Sequence, residues 1–237
     1  MYEHFDPEIG RILIKINQRA KSVIARRKAD CVALTVPSFF TKKDILRAIE
    51  QLKPRLLSVE PKPVALIDEN TTFETFSFRV VVQRYALSDT IRMSLKNGML
   101  SIFVPQQIDI TRPNVQDAIK ELIRQGLRFE AKRILPQKTA LFASKNKLQF
   151  SEVKINKSLS RWGSCSRKKS LNFSLYLLLL PEKLIDYVVL HELTHTVEMN
   201  HSDRFWSLLD TFCGEDSKAL SRLARNFRSE GYDLLKP

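Results

Sequence analysis

The sequence predicts an α+β fold, with a β-rich N-terminal region that includes helices and a C-terminal domain organised around an apolar helix. In the first half, short β-branched segments that end at proline alternate with segments of helical periodicity. In the second half, strand-like segments precede a helix with a wide apolar face. That helix ends in HELTHTVEMNH, residues 191–201, which holds three of the four histidines in the chain. We place the N-terminal region at residues 1–135 and the C-terminal domain at residues 136–237.

The composition is that of a globular chain with a basic surface. Lys and Arg number 39 against 26 Asp and Glu, so the net charge is +13. A surplus of this size attracts polyanions, and nucleic acid is therefore one partner that the charge permits. The three cysteines are far apart and form no CxxC pair, which argues for a reducing compartment. The start of the chain does not resemble a secretion signal, and the most apolar run, residues 175–180, is too short to span a bilayer. We expect a cytoplasmic protein without a membrane partner.

The first elements are a strand and a helix. Residues 32–36, VALTV, are apolar and partly β-branched, and Pro37 ends the segment. Thr41 and Asp44 then form an N-cap signal, followed by apolar residues at helical spacing.

A second segment repeats this layout. Residues 99–104, MLSIFV, are strand-like and end at Pro105, an offset of 68 residues from Pro37 (105 − 37). Residues 111–114 then open a helix with an apolar side. We therefore expect a diverged duplication of a strand-to-helix unit.

Two further signals punctuate this half of the chain. Asn97-Gly98 lies between IRMSL and MLSIFV, which predicts a tight β-hairpin turn. Residues 59–72 hold two prolines and few apolar side chains, so they are predicted to form a linker or long loop.

The pattern changes after residue 148. Residues 148–155 and 171–179 are predicted strands, with the basic turn 167–170 between them. Pro181 suits the first turn of a helix, and five apolar residues then form a wide face, namely Leu184, Ile185, Val188, Val189 and Leu193. Residues 202–212 are a predicted helix, with another after Gly214.

The end of the apolar helix has the pattern of a metal site. His191 and His195 are four residues apart, so they lie about 40° apart around a helix and one turn apart along it. Glu192 completes H-E-x-x-H, the pattern of zinc hydrolases in which the two histidines bind Zn²⁺ and the glutamate is the general base. We therefore expect a zincin-like, metal-dependent hydrolase domain that binds Zn²⁺, although another divalent ion is compatible with the pattern.

A hydrolytic zinc site needs a third protein ligand. His201 would lie about 15 Å beyond His191 on an unbroken helix, so it joins the site only if the helix ends and the chain turns back. Asn200 tolerates the left-handed conformation and is a candidate for that turn. Glu198 is either a hydrogen-bond partner of a ligand or a solvated residue, and Glu215 is the alternative third ligand.

Three motifs carry a family resemblance. RWGSC at 161–165, HELTH at 191–195 and NHSDRFW at 200–206 resemble the YgjP-like family of zinc-dependent hydrolases, which is related in motif to SprT-like and WLM-type metalloproteases. The resemblance implies zinc on His191, His195 and His201, with Glu192 catalytic. It also implies mixed functions, because members are described both as metallopeptidases and as nucleoside-triphosphate (UTP) pyrophosphatases.

The RWGSC segment also has a direct physical interpretation. Arg161 can bind a carboxylate or phosphate through two hydrogen bonds, and Gly163 permits close backbone approach. Arg161 and Ser164 are therefore candidate substrate-binding residues. For Trp162 we favour a packing role, and Cys165 is interpreted as a small packed residue rather than a nucleophile.

The sequence thus predicts a metal-dependent hydrolase, with a metallopeptidase as the main hypothesis. A nucleotide pyrophosphatase is the alternative, because the net charge of +13 and the basic residues Arg161, Arg167, Lys168 and Lys169 suit a triphosphate, although the chain has no glycine-rich phosphate loop. A third hypothesis is a nucleic-acid-associated protease that uses basic segments such as residues 21–28. The expected substrate is therefore a peptide, a protein or a nucleotide.

Overall fold

The computed structural model describes residues 2–27, 31–58, 66–86, 88–227 and 229–235. The chain divides into two compact units, residues 1–65 and 66–237. Much of the predicted linker, residues 59–65, lies outside the described residues, and residues 66–71 form a loop before the next strand.

The first unit is a four-stranded sheet with one helix. Its strands are β1 (Tyr2–Asp6), β2 (Gly10–Asn17), β3 (Ile24–Arg27) and β4 (Val32–Pro37), and its helix is α1 (Lys42–Ser58). The sheet order is β1-β2-β4-β3, with β2 and β4 parallel and the other pairs antiparallel.

The predicted N-cap of α1 is confirmed. The Thr41 amide donates to Asp44 Oδ2 at 2.9 Å, and the Asp44 amide donates to Thr41 Oγ1 at 3.3 Å. This reciprocal pair satisfies amides that have no partner inside the helix, and it sets where the helix begins. The buried side of α1 then covers apolar residues of the strands, including Ile12 and Leu34.

The second unit begins with the same arrangement. It has β5 (Thr72–Glu74), β6 (Arg79–Tyr85), β7 (Arg92–Lys96) and β8 (Met99–Pro105), followed by α2 (Pro113–Lys145). The sheet order is β5-β6-β8-β7, again with one parallel pair at its centre. The register is repeated as well: Asn17 pairs with Pro37 in the first unit, and Tyr85 pairs with Pro105 in the second. The predicted repeat of a strand-to-helix layout is therefore confirmed in topology.

The predicted hairpin at Asn97-Gly98 is also confirmed. Lys96 pairs with Met99 across the turn, and both turn residues have positive φ, 51° for Asn97 and 71° for Gly98. This conformation matches the twist of the two strands, and asparagine and glycine adopt it at the lowest cost.

The remainder of the second unit is a small sheet and four helices. The sheet contains β9 (Glu152–Asn156), β10 (Gly163–Cys165) and β11 (Ser170–Ser174), in the order β10-β11-β9. The helices are α3 (Glu182–Thr194), α4 (Asp203–Cys213), α5 (Ser217–Asn226) and α6 (Glu230–Leu235). Within the described residues, no helix is both long enough and apolar enough to cross a membrane.

Two predicted strands are shorter than expected. The first begins at Glu152 rather than at residue 148. The second ends at Ser174, and Leu175–Leu179 form a 3₁₀ helix. The Ser174 side chain accepts a hydrogen bond from the Tyr176 amide and so caps this helix. A run of buried leucines fits a strand and a short helix equally well, so periodicity did not separate the two.

The compact units also differ from the predicted division at residues 135 and 136. Helix α2 runs through that position without interruption, and Pro136 lies inside it. Residues on both sides, including Leu127, Leu135 and Ala143, are buried in one hydrophobic core. A division at residue 135 would split that core, whereas a division at residue 65 leaves each core intact.

Candidate metal centre

Helix α3 positions the first residues of the site. It begins after Pro181, and its apolar residues Leu184, Ile185 and Val189 are buried. His191 and Glu192 lie in its last turn, and His195 is the C-cap residue that follows Thr194. The buried apolar face anchors the helix in the core, so its C-terminal end is held in one position.

The chain turns back immediately after α3. The Thr196 amide donates to Leu193 O at 2.9 Å and the Val197 amide donates to Thr194 O at 3.0 Å, which tightens the last turn. Helix α4 then starts at Asp203, with the Ser202 side chain accepting from the Phe205 amide. The expectation of a left-handed Asn200 is wrong, because no residue of this described segment has a positive φ. Short i→i+3 hydrogen bonds make the turn instead.

This turn brings the three histidines together. One ligand atom from each of His191, His195 and His201 lies within 4.8 Å of the other two. The Nε2 atoms of His191 and His201 are 3.1 Å apart. A tetrahedral ion with Zn–N bonds of about 2.05 Å separates two nitrogens by about 3.3 Å, so this pair fits one shared ion. Among the described residues, this is the cluster of histidine, cysteine or acidic groups that could hold a metal ion.

Hydrogen bonds to the other ring nitrogens orient two of the imidazoles. His195 Nδ1 donates to the Glu198 carbonyl oxygen at 3.0 Å, which leaves Nε2 of this ring free to bind a cation. The Tyr187 hydroxyl lies 3.2 Å from His191 Nδ1, within hydrogen-bonding distance of that ring. Such partners fix the tautomer and the ring direction of a ligand. Glu198 thus contacts His195 through its backbone rather than through its carboxylate.

Two aromatic residues of α4 pack against the histidines. The Phe205 ring stacks on His195 with centroids 4.6 Å apart, and the Trp206 ring stacks on His201 at 5.7 Å. Phe205 is fully buried, so it connects the cluster to the core. These contacts pack the start of α4 against the histidine cluster.

Burial sets the charge of the cluster. Burial, with the charges of His195 and His201, lowers the pKa of His191 to about 3. Burial also lowers the pKa of His195, and the charge of His201 adds to this effect. Both imidazoles are therefore neutral at pH 7, which is the form that binds a metal ion.

Glu192 is held beside the cluster in a buried position. Burial raises the pKa of its carboxyl group to about 8, and the charge of Arg161 opposes this rise. Gly163 in β10 makes that position available. A Cβ atom at residue 163 would lie 2.7 Å from Glu192 Oε1, closer than any real contact of that kind. A side chain at residue 163 would therefore force Glu192 or strand β10 to shift, and glycine permits the close approach seen here.

An open cavity of about 610 Å³ adjoins the cluster. Arg161, Trp162, His191, Glu192 and His201 all line it. Sequence reasoning missed the residues that helices α5 and α6 contribute, because nothing in their local pattern distinguishes them from ordinary helix residues. They are Ser221, Ala224, Arg225 and Tyr232.

Several other candidates lie outside the cavity lining. Ser164 is half-buried in β10, opposite Asn172 of β11. The basic residues Arg167, Lys168 and Lys169 are exposed in the turn before β11. Glu215 does not join the cluster and forms an ion pair with Lys183 at 2.8 Å.

Trp162 and Cys165 have the packing roles that we expected. Trp162 Nε1 donates to Ala224 O at 2.9 Å, and its ring lies 5.4 Å from that of Tyr232. Burial raises the pKa of the Cys165 thiol to about 11, and the charge of Glu192 adds to this effect. A thiol of this kind is a poor nucleophile at neutral pH.

Comparison with known proteins gives the family of the chain. A family model described as YgjP-like, metallopeptidase domain, matches residues 21–226. Among solved structures, the chain is similar to the metallopeptidase zymogen abylysin of Pyrococcus abyssi, with 21% identity and a TM-score of 0.35. That match covers 40% of this chain and 98% of the abylysin chain. No curated protein matches the chain.

Proposed function

The chain belongs to the YgjP-like metallopeptidase domain family, and from this membership we propose that it is a zinc-dependent peptidase with His191, His195 and His201 as metal ligands. Glu192 is the proposed general base. The observation that carries the proposal is the close approach of the three imidazoles beside a buried carboxylate in an open cavity. A divalent ion is what this set of neutral nitrogen donors would bind, and zinc is the ion typical of it.

In the proposed reaction, the metal ion and the side chains of the protein have separate roles. A zinc ion held by His191, His195 and His201 would supply Lewis-acid chemistry, polarising the scissile carbonyl and making the attacking water more acidic. Glu192 accepts a proton from the attacking water and passes it to the leaving amine. Arg161 is the proposed donor for the developing oxyanion, since it lines the same cavity and acts electrostatically on Glu192.

The position of strand β10 favours a peptide, rather than another kind of molecule, as the substrate. This strand is one of the two edge strands of its sheet, and Gly163 in it lies against Glu192. An extended peptide can add to such an edge through main-chain hydrogen bonds, which would bring its amide bonds close to the general base.

The test combines metal analysis with peptide hydrolysis. We expect one zinc ion per chain and cleavage of an unfolded protein such as casein, with cleavage reduced at least 100-fold in Glu192→Gln while the zinc content is unchanged. The control is Glu182→Gln, which removes an exposed carboxylate from the first turn of the same helix. Retained cleavage in Glu192→Gln would reject the role of the general base, and absence of metal after reloading would reject the site.

Nucleotide hydrolysis is a separate arm of the same experiment. The comparisons do not support a pyrophosphatase, and of the four basic residues that suggested one, Arg161 lines the cavity whereas Arg167, Lys168 and Lys169 do not. Pyrophosphate release from a nucleoside-triphosphate panel, lost in Glu192→Gln, would nevertheless replace the peptidase proposal. Association with nucleic acid stays a prediction from the charge of +13, and the salt dependence of DNA binding tests it.

A further inference from the structure

The cavity beside the three histidines contains two guanidinium groups. Arg161 precedes β10, and Arg225 lies in the last turn of α5. Both are exposed, and within the described parts of the chain neither has an ion pair or a hydrogen bond. Of the residues that line the cavity, Glu192 alone has a carboxylate, and it is buried. The cavity therefore presents two cationic donors without a complementary anion of its own.

The two guanidinium groups lie near different residues of the proposed site. Arg161 lies two residues before Gly163, which lies against Glu192. Arg225 lines the cavity together with Tyr187, whose hydroxyl lies 3.2 Å from His191 Nδ1. A substrate group that contacts either arginine would thus lie in the same cavity as the proposed ligands and general base.

The side chains of Trp162, Tyr232 and Val188 form an apolar wall of the cavity. Trp162 is held by its hydrogen bond to Ala224 O, and the Tyr232 hydroxyl donates to Leu159 O at 3.1 Å. Val188 of α3 also lines this part of the cavity. An apolar wall with guanidinium groups at an exposed rim suits a substrate group that has an aliphatic stem and an anionic end.

We propose that this cavity selects peptides with a carboxylate near the scissile bond, which Arg225 binds while Arg161 keeps the oxyanion role proposed above. The inference rests on the proposed peptidase function and adds its substrate class. An acidic side chain and a free C-terminal carboxylate share this chemistry. A triphosphate fits less well, because the cluster of three basic residues at 167–169 is outside the cavity.

The first experiment measures cleavage specificity. The zinc-loaded full chain digests a peptide library, and mass spectrometry locates the cleavage sites. Wild type is expected to favour Asp or Glu at one position beside the cleaved bond, or bonds near a free C-terminus. In Arg225→Gln this preference falls about tenfold, while cleavage of neutral peptides is retained. Arg225→Glu is expected to shift the preference toward Lys and Arg.

The control variant is Arg222→Gln. Arg222 lies one turn earlier on α5 and faces Asp216 at 3.9 Å, outside the cavity lining. Arg222→Gln removes the same charge from the same helix as Arg225→Gln. A general electrostatic effect would therefore change the preference for acidic residues equally in both variants. Equal loss of the acidic preference in Arg222→Gln and Arg225→Gln would overturn the proposal.

A binding measurement separates this proposal from the peptidase function. Zinc-loaded Glu192→Gln is titrated calorimetrically with peptide pairs that differ only in Glu against Gln, or in a free against an amidated C-terminus. We expect the carboxylate member of one pair to bind about tenfold more tightly, and this difference to vanish in the double variant with Arg225→Gln. The pair that shows the difference identifies the source of the carboxylate.

The two proposals fail in different ways. Preferential binding of the carboxylate peptide without cleavage by wild type would retain the carboxylate site and reject the peptidase. Cleavage with no preference for acidic residues or free C-termini would retain the peptidase and reject the carboxylate site. Absence of preferential binding in every peptide pair would also reject the carboxylate site.

Discussion

The first unit and the start of the second unit share one ββββα layout but differ in the length of the helix. Helix α1 has 17 residues and buries Ile45, Ala48, Ile49 and Leu56, all on one side. Helix α2 has 33 residues and has buried residues along its whole length. The first helix covers its own sheet, whereas the second also packs against α3 and β9.

This difference explains where a site can form. A helix that extends beyond its sheet offers a second apolar surface, and α3 packs on it with His191 and Glu192 at its end. The repeated layout by itself contributes no histidine to the cluster. The extension of α2, rather than the repeated layout, therefore creates the support for the candidate metal centre.

The largest expected contrast between the units is their response to zinc. At a free zinc concentration about 1,000 times the dissociation constant, binding stabilises the second unit by about 4 kcal/mol. Hydrogen exchange of the full chain should therefore slow in α3 and α4 but not in α1. His191→Ala should remove the protection, because one of three ligands is lost. Equal protection of α1 would show that zinc stabilises the chain by another route.

Core substitutions in the two helices should separate stability from metal binding. Ile49→Ala in α1 and Leu135→Ala in α2 each remove a buried side chain, at a cost of about 2–5 kcal/mol to the unit concerned. Only Leu135→Ala is expected to weaken zinc binding, because Leu135 lies in the part of α2 beyond the length of α1. Hydrogen exchange locates the loss of stability, and zinc titration measures affinity. An equal loss of affinity in Ile49→Ala would contradict the comparison.

Glycines in the two units should respond differently to alanine. Gly163→Ala places a Cβ atom 2.7 Å from Glu192 and should lower peptide cleavage about 10–100-fold, since the carboxylate must move. Gly10 in the first unit has a φ of 87° and nothing within 4 Å of a Cβ position. Gly10→Ala should therefore destabilise the first unit by about 1 kcal/mol and leave cleavage unchanged. Full activity in Gly163→Ala would reject the steric argument.

The smallest expected effect is the contribution of Asp6 to the stability of the first unit, which depends on pH. Burial alone would raise the pKa of Asp6, but hydrogen bonds from the Ile9 and Glu8 amides and from Lys53 outweigh it and lower the pKa. A carboxyl group with a lowered pKa in the folded state stabilises the fold above its unfolded value of 3.8, and this contribution is lost as pH falls below that value.

Asp6→Asn tests this contribution. Above pH 5 the variant should be less stable than wild type by on the order of 1 kcal/mol, and the difference should shrink as pH falls through 3.8. Urea unfolding followed by circular dichroism measures the difference. Tryptophan fluorescence is the control, because both tryptophans, Trp162 and Trp206, lie in the second unit. A difference that does not depend on pH would show that the charge of Asp6 is not the cause.

Local signals in the sequence predicted much of the fold. The pair Thr41 and Asp44 predicted the start of α1, and Asn97-Gly98 predicted the hairpin, because each pattern is satisfied by hydrogen bonds or dihedral angles within a few residues. Local signals did not predict the secondary structure of the leucine run after Ser174. Its residues are buried on all sides, so no periodicity distinguished a strand from a 3₁₀ helix.

The sequence by itself determined that His191 and His195 share one side of a helix, with Glu192 between them in the sequence. The number of residues between two helix positions sets the relative direction of their side chains. Only the tertiary structure decided that His201 returns to within 3.1 Å of His191. It also decided that Gly163 lies against Glu192 and that Arg225 lines the same cavity. These contacts join residues that are distant along the chain, and they depend on how α4, α5 and β10 pack around α3. Short-range patterns contain no information about packing of that kind.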